Sequence, residues 1–455
     1  MAKSLAIVPW NDVLTGPVNN QAEKLTDILL EKRNQYIPSR SYKVRPQDQP
    51  WFGYQCREAA DAKSRDWKRY KRHPNMQNRN RHKASCKRME QVQKWPISKW
   101  LENIETKLKG RPIGNKDWWN LANQHQGLTN DTTIPPLNRP DGTVAVSGKD
   151  KAELLAYHFA KKMQVPDPNL KPPKLPMYTS ARLNNCKTSR KEVEKLLKEI
   201  DVNKALGPDE ISPHILKNCA TVKAEPLARL YNACIDQKVW PRIWKQAQVV
   251  ATHKRKSRTS IENYRPISLL SILGKIYEKI LVNNLIIFLD KNHLLSNRQF
   301  GFRKNRSTSD LLLKKASEWN KLLDSGKTTF VIALDIAGAF DRVWHAGLIS
   351  KLKSLGINGN LLHLIENYLD ERSMQVVVDG FISTEYKIEA SVPQGSVLEP
   401  LLWNIYFNDL LNLVDEAYAY ADDCTLDFSC DKDDVHIVQK INDIIQKIKT
   451  WGERW

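Results

Sequence analysis

A chain of 455 residues is too long for one ordinary hydrophobic core, so two or three domains or subdomains are expected. Its 71 basic residues against 51 acidic ones leave a net charge of +20, which favours a polyanionic partner such as nucleic acid or an anionic surface. No apolar run approaches a membrane span, no secretory h-region opens the chain, and the seven cysteines form no Cys-x-x-Cys pair; these features predict an intracellular chain without a zinc centre or a disulfide framework.

The first fifty residues carry one helical pattern, Gln21 to Arg33, followed by a Pro-containing loop. From Trp51 to Met89 the aromatics Trp51, Phe52, Tyr54, Trp67 and Tyr70 interleave with cations, among them Arg57, Arg65, Lys68, Arg69, Lys71 and Arg72. Such helices either lay cations along a phosphate backbone with rings free to stack, or turn the rings inward and leave the charge in water. Arg65, Lys68, Arg69, Lys71 and Arg72 are the candidate nucleic-acid contacts here. Residues 91–130 read as helical and Trp-rich. Prolines from Pro135 to Pro176, Pro166 and Pro168 among them, make 131–185 a connector, broken by a helix near Lys149 to Met163. The expected division is a basic helical region at 1–130, the connector at 131–185, and a third region from 186 onward.

Ser189 with Glu192 three positions on has the capping-box pattern ahead of Val193, Leu196 and Leu197. Helices are predicted over Ile211 to Cys219, Leu227 to Gln237 and Leu270 to Asp290, with a strand at Gln246 to Ala251. After that strand, Lys254, Arg255 and Lys256 form either a phosphate-facing loop or a solvated one. In Gln299-Phe300-Gly301-Phe302-Arg303-Lys304, Gly301 permits a bend, and Arg303 and Lys304 offer charge and forked donors that suit a triphosphate. A helix over Ser309 to Leu323 feeds a run from Lys327 to Leu334 that reads as a buried strand, with Asp335 at its end. The small residues of Ile336-Ala337-Gly338-Ala339 let backbone and substrate approach closely. Phe340 is placed either as the floor of a sugar pocket or as a core aromatic, and Asp341 either caps the next helix or orients the site. Val392-Pro393-Gln394-Gly395-Ser396 is a constrained loop in which Gln394 can donate to a base or phosphate and Gly395 exposes backbone. The last helix is expected to bury Val435, Val438, Ile441, Ile445 and Ile448 on one face.

Between these lies Tyr420-Ala421-Asp422-Asp423, a strand-turn-strand pattern with two carboxylates at its tip. Adjacent carboxylates repel, and holding both ionised calls for a counter-charge, most simply a divalent cation; all-oxygen ligands suit Mg2+ better than zinc. With Asp335 as a third ligand, the pattern is that of a polymerase palm with fingers, in which Asp335, Asp422 and Asp423 hold two Mg2+ ions, with Mn2+ as a substitute. The predicted fold class is α+β: polymerase fingers and palm, preceded by a mostly helical basic region.

In order along the chain, Lys204-Ala205-Leu206-Gly207-Pro208-Asp209, Asn263-Tyr264-Arg265-Pro266-Ile267-Ser268, Gly301-Phe302-Arg303 with Ser307-Thr308, Leu334-Asp335 through Asp341, Val392 through Ser396, and Tyr420 through Asp423 together resemble the reverse transcriptases of non-LTR (LINE-type) retrotransposons, of the jockey-like or CR1-like kind. The resemblance covers roughly 188–455, and 1–185 is more weakly similar to the linker between the endonuclease and polymerase of such elements. It implies an enzyme that copies its RNA template from a DNA primer at a nicked target, consuming deoxynucleoside triphosphates, in nucleus and cytoplasm. It implies Asp335, Asp422 and Asp423 as catalytic, Phe340 as the gate against ribonucleotides, Arg303 near the incoming triphosphate and Gln394 and Gly395 beside the templating pair; Lys304 and Tyr420 are further candidate substrate contacts. Glu399 departs from the family, which usually has Gly there, and against the family the chain reads as a fragment with an incomplete palm and no thumb. Alternatives are a group II intron maturase-like enzyme and a catalytically inactive nucleic-acid-binding remnant.

Overall fold

Pairing of apolar stripes dictates two separate compact units, residues 1–36 with 134–455, and residues 37–133. The computed structural model describes residues 1–455 except 39–41, 43, 46–47, 110–117, 120–121, 124–132, 166, 168–169 and 432–433. Of the stretch read as helical and Trp-rich, 91–109 is helix and all four tryptophans are described, whereas 110–117, 120–121 and 124–130, like Pro166 and Pro168 of the connector, lie outside the described residues. In chain order the helices are α1 (Ala2–Ala6), α2 (Trp10–Val13), α3 (Val18–Tyr36), α4 (Tyr54–Arg72), α5 (Met76–Lys109), α6 (Gly148–Lys162), α7 (Arg190–Lys198), α8 (Pro213–Asn218), α9 (Ala220–Gln237), α10 (Ile272–Lys291), α11 (Thr308–Asp324), α12 (His345–Ser354), α13 (Gly359–Leu369), α14 (Glu399–Leu413) and α15 (Ile437–Arg454). The strands are β1 (Leu137–Asn138), β2 (Val144–Ala145), β3 (Gln246–His253), β4 (Tyr264–Leu269), β5 (Thr328–Leu334), β6 (Arg372–Val378), β7 (Phe381–Ile382), β8 (Tyr386–Ile388), β9 (Ala417–Tyr420) and β10 (Asp423–Cys430).

The larger unit is mixed α+β. Its five-stranded sheet runs β4-β3-β6-β7, with β8 also on β6; β3 and β6 are parallel and the other pairs antiparallel. Ala152, Leu155, Ala156 and Phe159 of α6 cover one face of it, over Val249, Met374, Val376 and Val378. A three-stranded antiparallel sheet, β5-β10-β9, packs instead with the helical core built around α9, α10, α13 and α14. Helix α10 is apolar nearly all round, as a helix enclosed by others must be. Its Tyr277 stacks on Tyr231 and Trp240 with ring centroids 4.7 and 5.1 Å apart. Ser189 starts α7 as its spacing predicts, accepting from the Glu192 amide at 3.3 Å. The Glu192 carboxylate, however, turns to the Thr188 hydroxyl rather than completing the box.

Three expectations change. Leu5, Val18, Leu25 and Leu29 of α1 and α3 join the main core, so residues 1–36 pack with the C-terminal region and the compact units do not follow the boundaries at 130 and 185. Strand β5 is not buried on both faces: Phe330 and Val331 are 41% and 46% exposed, because β5 is the edge of its sheet. The inward face of α15 is turned from the one predicted. Ile437 and Ile444 are buried, with Ile441, Ile448, Trp451 and Trp455 packed alongside, whereas Val435 and Val438 are 80% and 64% exposed. The two tryptophans decide this rotation, since an indole buries far more area than a valine. They close around Lys351 of α12, whose ammonium donates to Asp409 at 2.8 Å and to the Tyr406 carbonyl at 2.7 Å, and sits 3.8 Å from the Trp455 ring centroid. Burial pulls that ammonium down to about 8.

In the smaller unit α4 and α5 form a helical hairpin around Cys56, Ala59 and Met89, with Trp51, Phe52 and Val92 against them. Part of the aromatic set thus turns inward. Trp67 remains 48% exposed, its ring 5.1 Å from His82, while Arg65, Lys68, Arg69, Lys71 and Arg72 all point to solvent. The last turn of α4 concentrates Arg69, Lys71 and Arg72, where the helix dipole favours cations.

Candidate active site

Strands β9 and β10 are joined by the two residues Ala421 and Asp422, with Tyr420 opposite Asp423 in the register. Ala421 takes a left-handed φ of 61°, a conformation that costs a residue with a Cβ and needs support. Gln299 supplies it. Its amide oxygen accepts from the Ala421 N–H at 3.0 Å and its amide nitrogen donates to the Ala421 carbonyl at 3.0 Å. The Trp403 indole donates to the same carbonyl at 3.0 Å. Gly301 lies flat against this turn: a Cβ there would stand 2.2 Å from the Ala421 nitrogen, so only glycine fits. The Gln-Phe-Gly stretch read as a bend thus acts as the mould of the carboxylate turn.

On its other side β10 pairs with β5, Cys424 opposite Leu334, so Asp335 leaves the strand beside Asp423. All three carboxylates therefore sit at one end of one sheet. Burial pushes the Asp422 carboxyl up, the negative charges of Asp423 and Asp335 add to the effect, and the Arg265 guanidinium opposes it. An all-oxygen donor set of this kind suits a hard divalent cation. As the side chains stand, though, no three acidic, His or Cys groups among the described residues converge closely enough to hold a metal ion.

Next to the carboxylates, Phe340 packs its ring 5.2 Å from Trp403 and edge-on to Phe302 at 6.2 Å. Asp341 does not cap α12. It is 8% exposed, accepts from the Gln394 side chain at 2.7 Å, and burial raises its pKa. Gln394 accepts at its carbonyl from the Ser268 N–H at 2.7 Å, which fastens the loop to β4. Gly395 has a φ of 107°, and a Cβ there would come 2.8 Å from the Ser268 carbonyl. Glu399 is the first residue of α14; its carboxyl turns back to accept from the Gly395 N–H at 2.8 Å, and burial pushes it up to about 8.

Of the residues expected in the site, Asp335, Asp422, Asp423 and Tyr420 share one sheet end, and Phe340, Gln394 and Gly395 border it through the Trp403 and Asp341 contacts. Arg303 is already committed, donating to the Ser296 carbonyl at 3.3 Å and lying 3.5 Å from Asp290; Lys304 is exposed on the same loop. Lys254, Arg255 and Lys256 are exposed after β3, and Lys254 is near enough to Asp341 to favour its ionised form. Sequence reasoning passed over three cations. Arg265 is near enough to Asp422, and Lys162 and Arg342 to Asp341, to favour the ionised carboxylates. A cavity of about 610 Å³ opens between Ile336, Ala337 and Ala339 on one side and Lys161, Lys162 and Arg342 on another. Only the alternation of β4, which puts Arg265 on its exposed face, signals any of these in the sequence.

Residues 252–455 match the family model described as reverse transcriptase (RNA-dependent DNA polymerase). The chain is 32% identical over 274 residues to the RNA-directed DNA polymerase from mobile element jockey of Drosophila melanogaster, covering 58% of this chain and 30% of that protein. It is 30% identical over 342 residues to the probable RNA-directed DNA polymerase from transposon BS of the same species, covering 70% and 37% respectively. The jockey polymerase of Drosophila funebris is 25% identical over 405 residues, 88% of this chain and 44% of that protein. The chain thus spans between 30% and 44% of the length of these relatives, and over that stretch it is similar to the reverse transcriptases of non-LTR retrotransposons.

Proposed function

We propose that the larger unit is the fingers and palm of an RNA-directed DNA polymerase that extends a primer 3'-hydroxyl with deoxynucleotides on an RNA template, in the target-primed replication of a retrotransposon. The observation that carries this is the meeting of Asp335, Asp422 and Asp423 at one sheet end, beside Phe340 and the Gln394–Gly395 loop. Asp335, Asp422 and Asp423 would hold Mg2+, which when bound would activate the primer hydroxyl and stabilise charge on the departing pyrophosphate. The chain's own groups do the rest. Arg265, Lys162 and Lys254 supply positive charge for a triphosphate next to small residues that allow close approach. Phe340, packed against Trp403, would stand as the gate against a ribose 2'-hydroxyl, which favours deoxynucleotides. The exposed cations of α4 supply a separate surface for an RNA or DNA backbone.

Similarity to retrotransposon polymerases supports this over a maturase-like enzyme. Extension of an oligo(dT) primer on poly(A) with dTTP and Mg2+, or Mn2+ in its place, tests it. Template-dependent extension by dTTP but not by UTP is the expected result. RNA binding without extension by a folded chain would contradict it and leave a catalytically inactive binding remnant.

A further inference from the structure

Glu278 is a carboxylate in the middle of the apolar helix α10, and it is only 2% exposed. Burial raises its pKa, which by itself would make a glutamate there a liability. Three donors converge on one of its oxygens: the Ser396 hydroxyl at 2.8 Å, the Val397 N–H at 2.5 Å and the Leu398 N–H at 3.4 Å. The Ser396 hydroxyl also meets the Tyr368 hydroxyl at 2.8 Å, and accepts from the Leu398 N–H at 3.0 Å. Arg372 and Lys275 lie near enough to favour the ionised carboxylate. Glu278 is therefore a carboxyl held at the N-terminus of α14 by a different helix, where unpaired amides and the helix dipole offset part of the cost of its burial.

The amides it binds, those of Val397 and Leu398, lie just past Gln394 and Gly395, with Ser396 between. No other side chain grips Val397 and Leu398 among the described residues except the Ser396 hydroxyl, itself tied to Glu278. On the opposite side the loop is fixed to β4 by Ser268 and to the Asp335 loop by Asp341 and by the Phe340 carbonyl, which accepts from the Val392 N–H at 3.0 Å. Displacing the α14 end of the loop would therefore carry Gln394, Gly395 and the backing of Phe340 with it.

We propose that Glu278 is a positioning residue that sets the Gln394–Gly395 loop against the incoming nucleotide, and so governs nucleotide affinity and selection rather than the chemical step. This rests on the polymerase function proposed above. The test compares wild type, Glu278→Gln, Glu278→Ala and Ser396→Ala, all checked for an intact thermal transition, in steady-state extension and in dTTP binding to a complex with a dideoxy-terminated primer. Loss of these three hydrogen bonds in Glu278→Ala raises KM and the dTTP dissociation constant by about tenfold and widens misincorporation, with kcat within about threefold of wild type. Glu278→Gln, which keeps an acceptor, restores most of the affinity. A fall in kcat at unchanged KM, or a folded Glu278→Ala indistinguishable from wild type, would overturn the assignment. If wild type neither extends the primer nor binds dTTP, the polymerase function fails, and the positioning claim is decided by amide hydrogen exchange. Faster exchange in Glu278→Ala confined to 394–398 supports it, whereas equal loosening of α10 refutes it.

Discussion

Gly395 donates its N–H to a glutamate that is protonated over much of the neutral range. Asp341 and Glu278 press on Glu399 with like charge, Lys275 opposes them, and burial dominates. A carboxyl raised from 4.5 to about 8 keeps a proton in the folded state that the unfolded chain has released. Its contribution to stability therefore falls as pH rises from about 4.5 to about 8 and is level above that. Glu399→Gln removes the titration, so the melting temperature of the variant should draw ahead of wild type across that window, as scanning calorimetry at successive pH values would show. Gly301 gives a second prediction at this scale. A methyl group there meets backbone, so Gly301→Ala should cost about 1–3 kcal/mol in denaturant unfolding and should depress extension by shifting the Asp422 turn. The carboxylates were legible in the sequence because strand ends and tight turns leave local patterns. Arg265 and Lys162 were not, because only pairing between distant segments brings them to Asp422 and Asp341.

Among elements, the predicted helices and strands are present with shifted ends: α10 was expected from Leu270 and starts at Ile272 behind the Ser271 cap, whereas α9 starts at Ala220, seven residues before the expected Leu227, and β4 was not predicted. Which face turns inward was harder to read. In α15 the branched aliphatics allow two neighbouring stripes, and the choice falls to Trp451 and Trp455 through their cage around Lys351. Ile444→Ala should accordingly destabilise by about 2–5 kcal/mol, while Val438→Ser stays within about 0.5 kcal/mol of wild type in the same unfolding measurement. Equal effects at both positions would return the helix to the rotation expected from sequence. Edge position is equally invisible in one strand's own sequence, which is why β5 looked buried.

For the whole molecule, net charge of +20 is divided between a hairpin that displays its cations and a larger unit that places several beside carboxylates. Replacing Arg65, Lys68, Arg69, Lys71 and Arg72 with Gln should weaken binding to single-stranded RNA with little dependence on sequence. It should also flatten the salt dependence by about 0.7 for each phosphate no longer neutralised, measured by anisotropy between about 50 and 200 mM salt. An unchanged slope would make that face a solvated one. The catalytic claim has a more direct test, primer extension by the full chain beside Asp422→Asn with Asp423→Asn. Both chains should melt at similar temperatures, the variant no lower, since removing adjacent negative charge relieves repulsion. Wild type should extend the primer and the variant should lose at least about a hundredfold in rate. Extension that survives loss of both carboxylates would contradict the site.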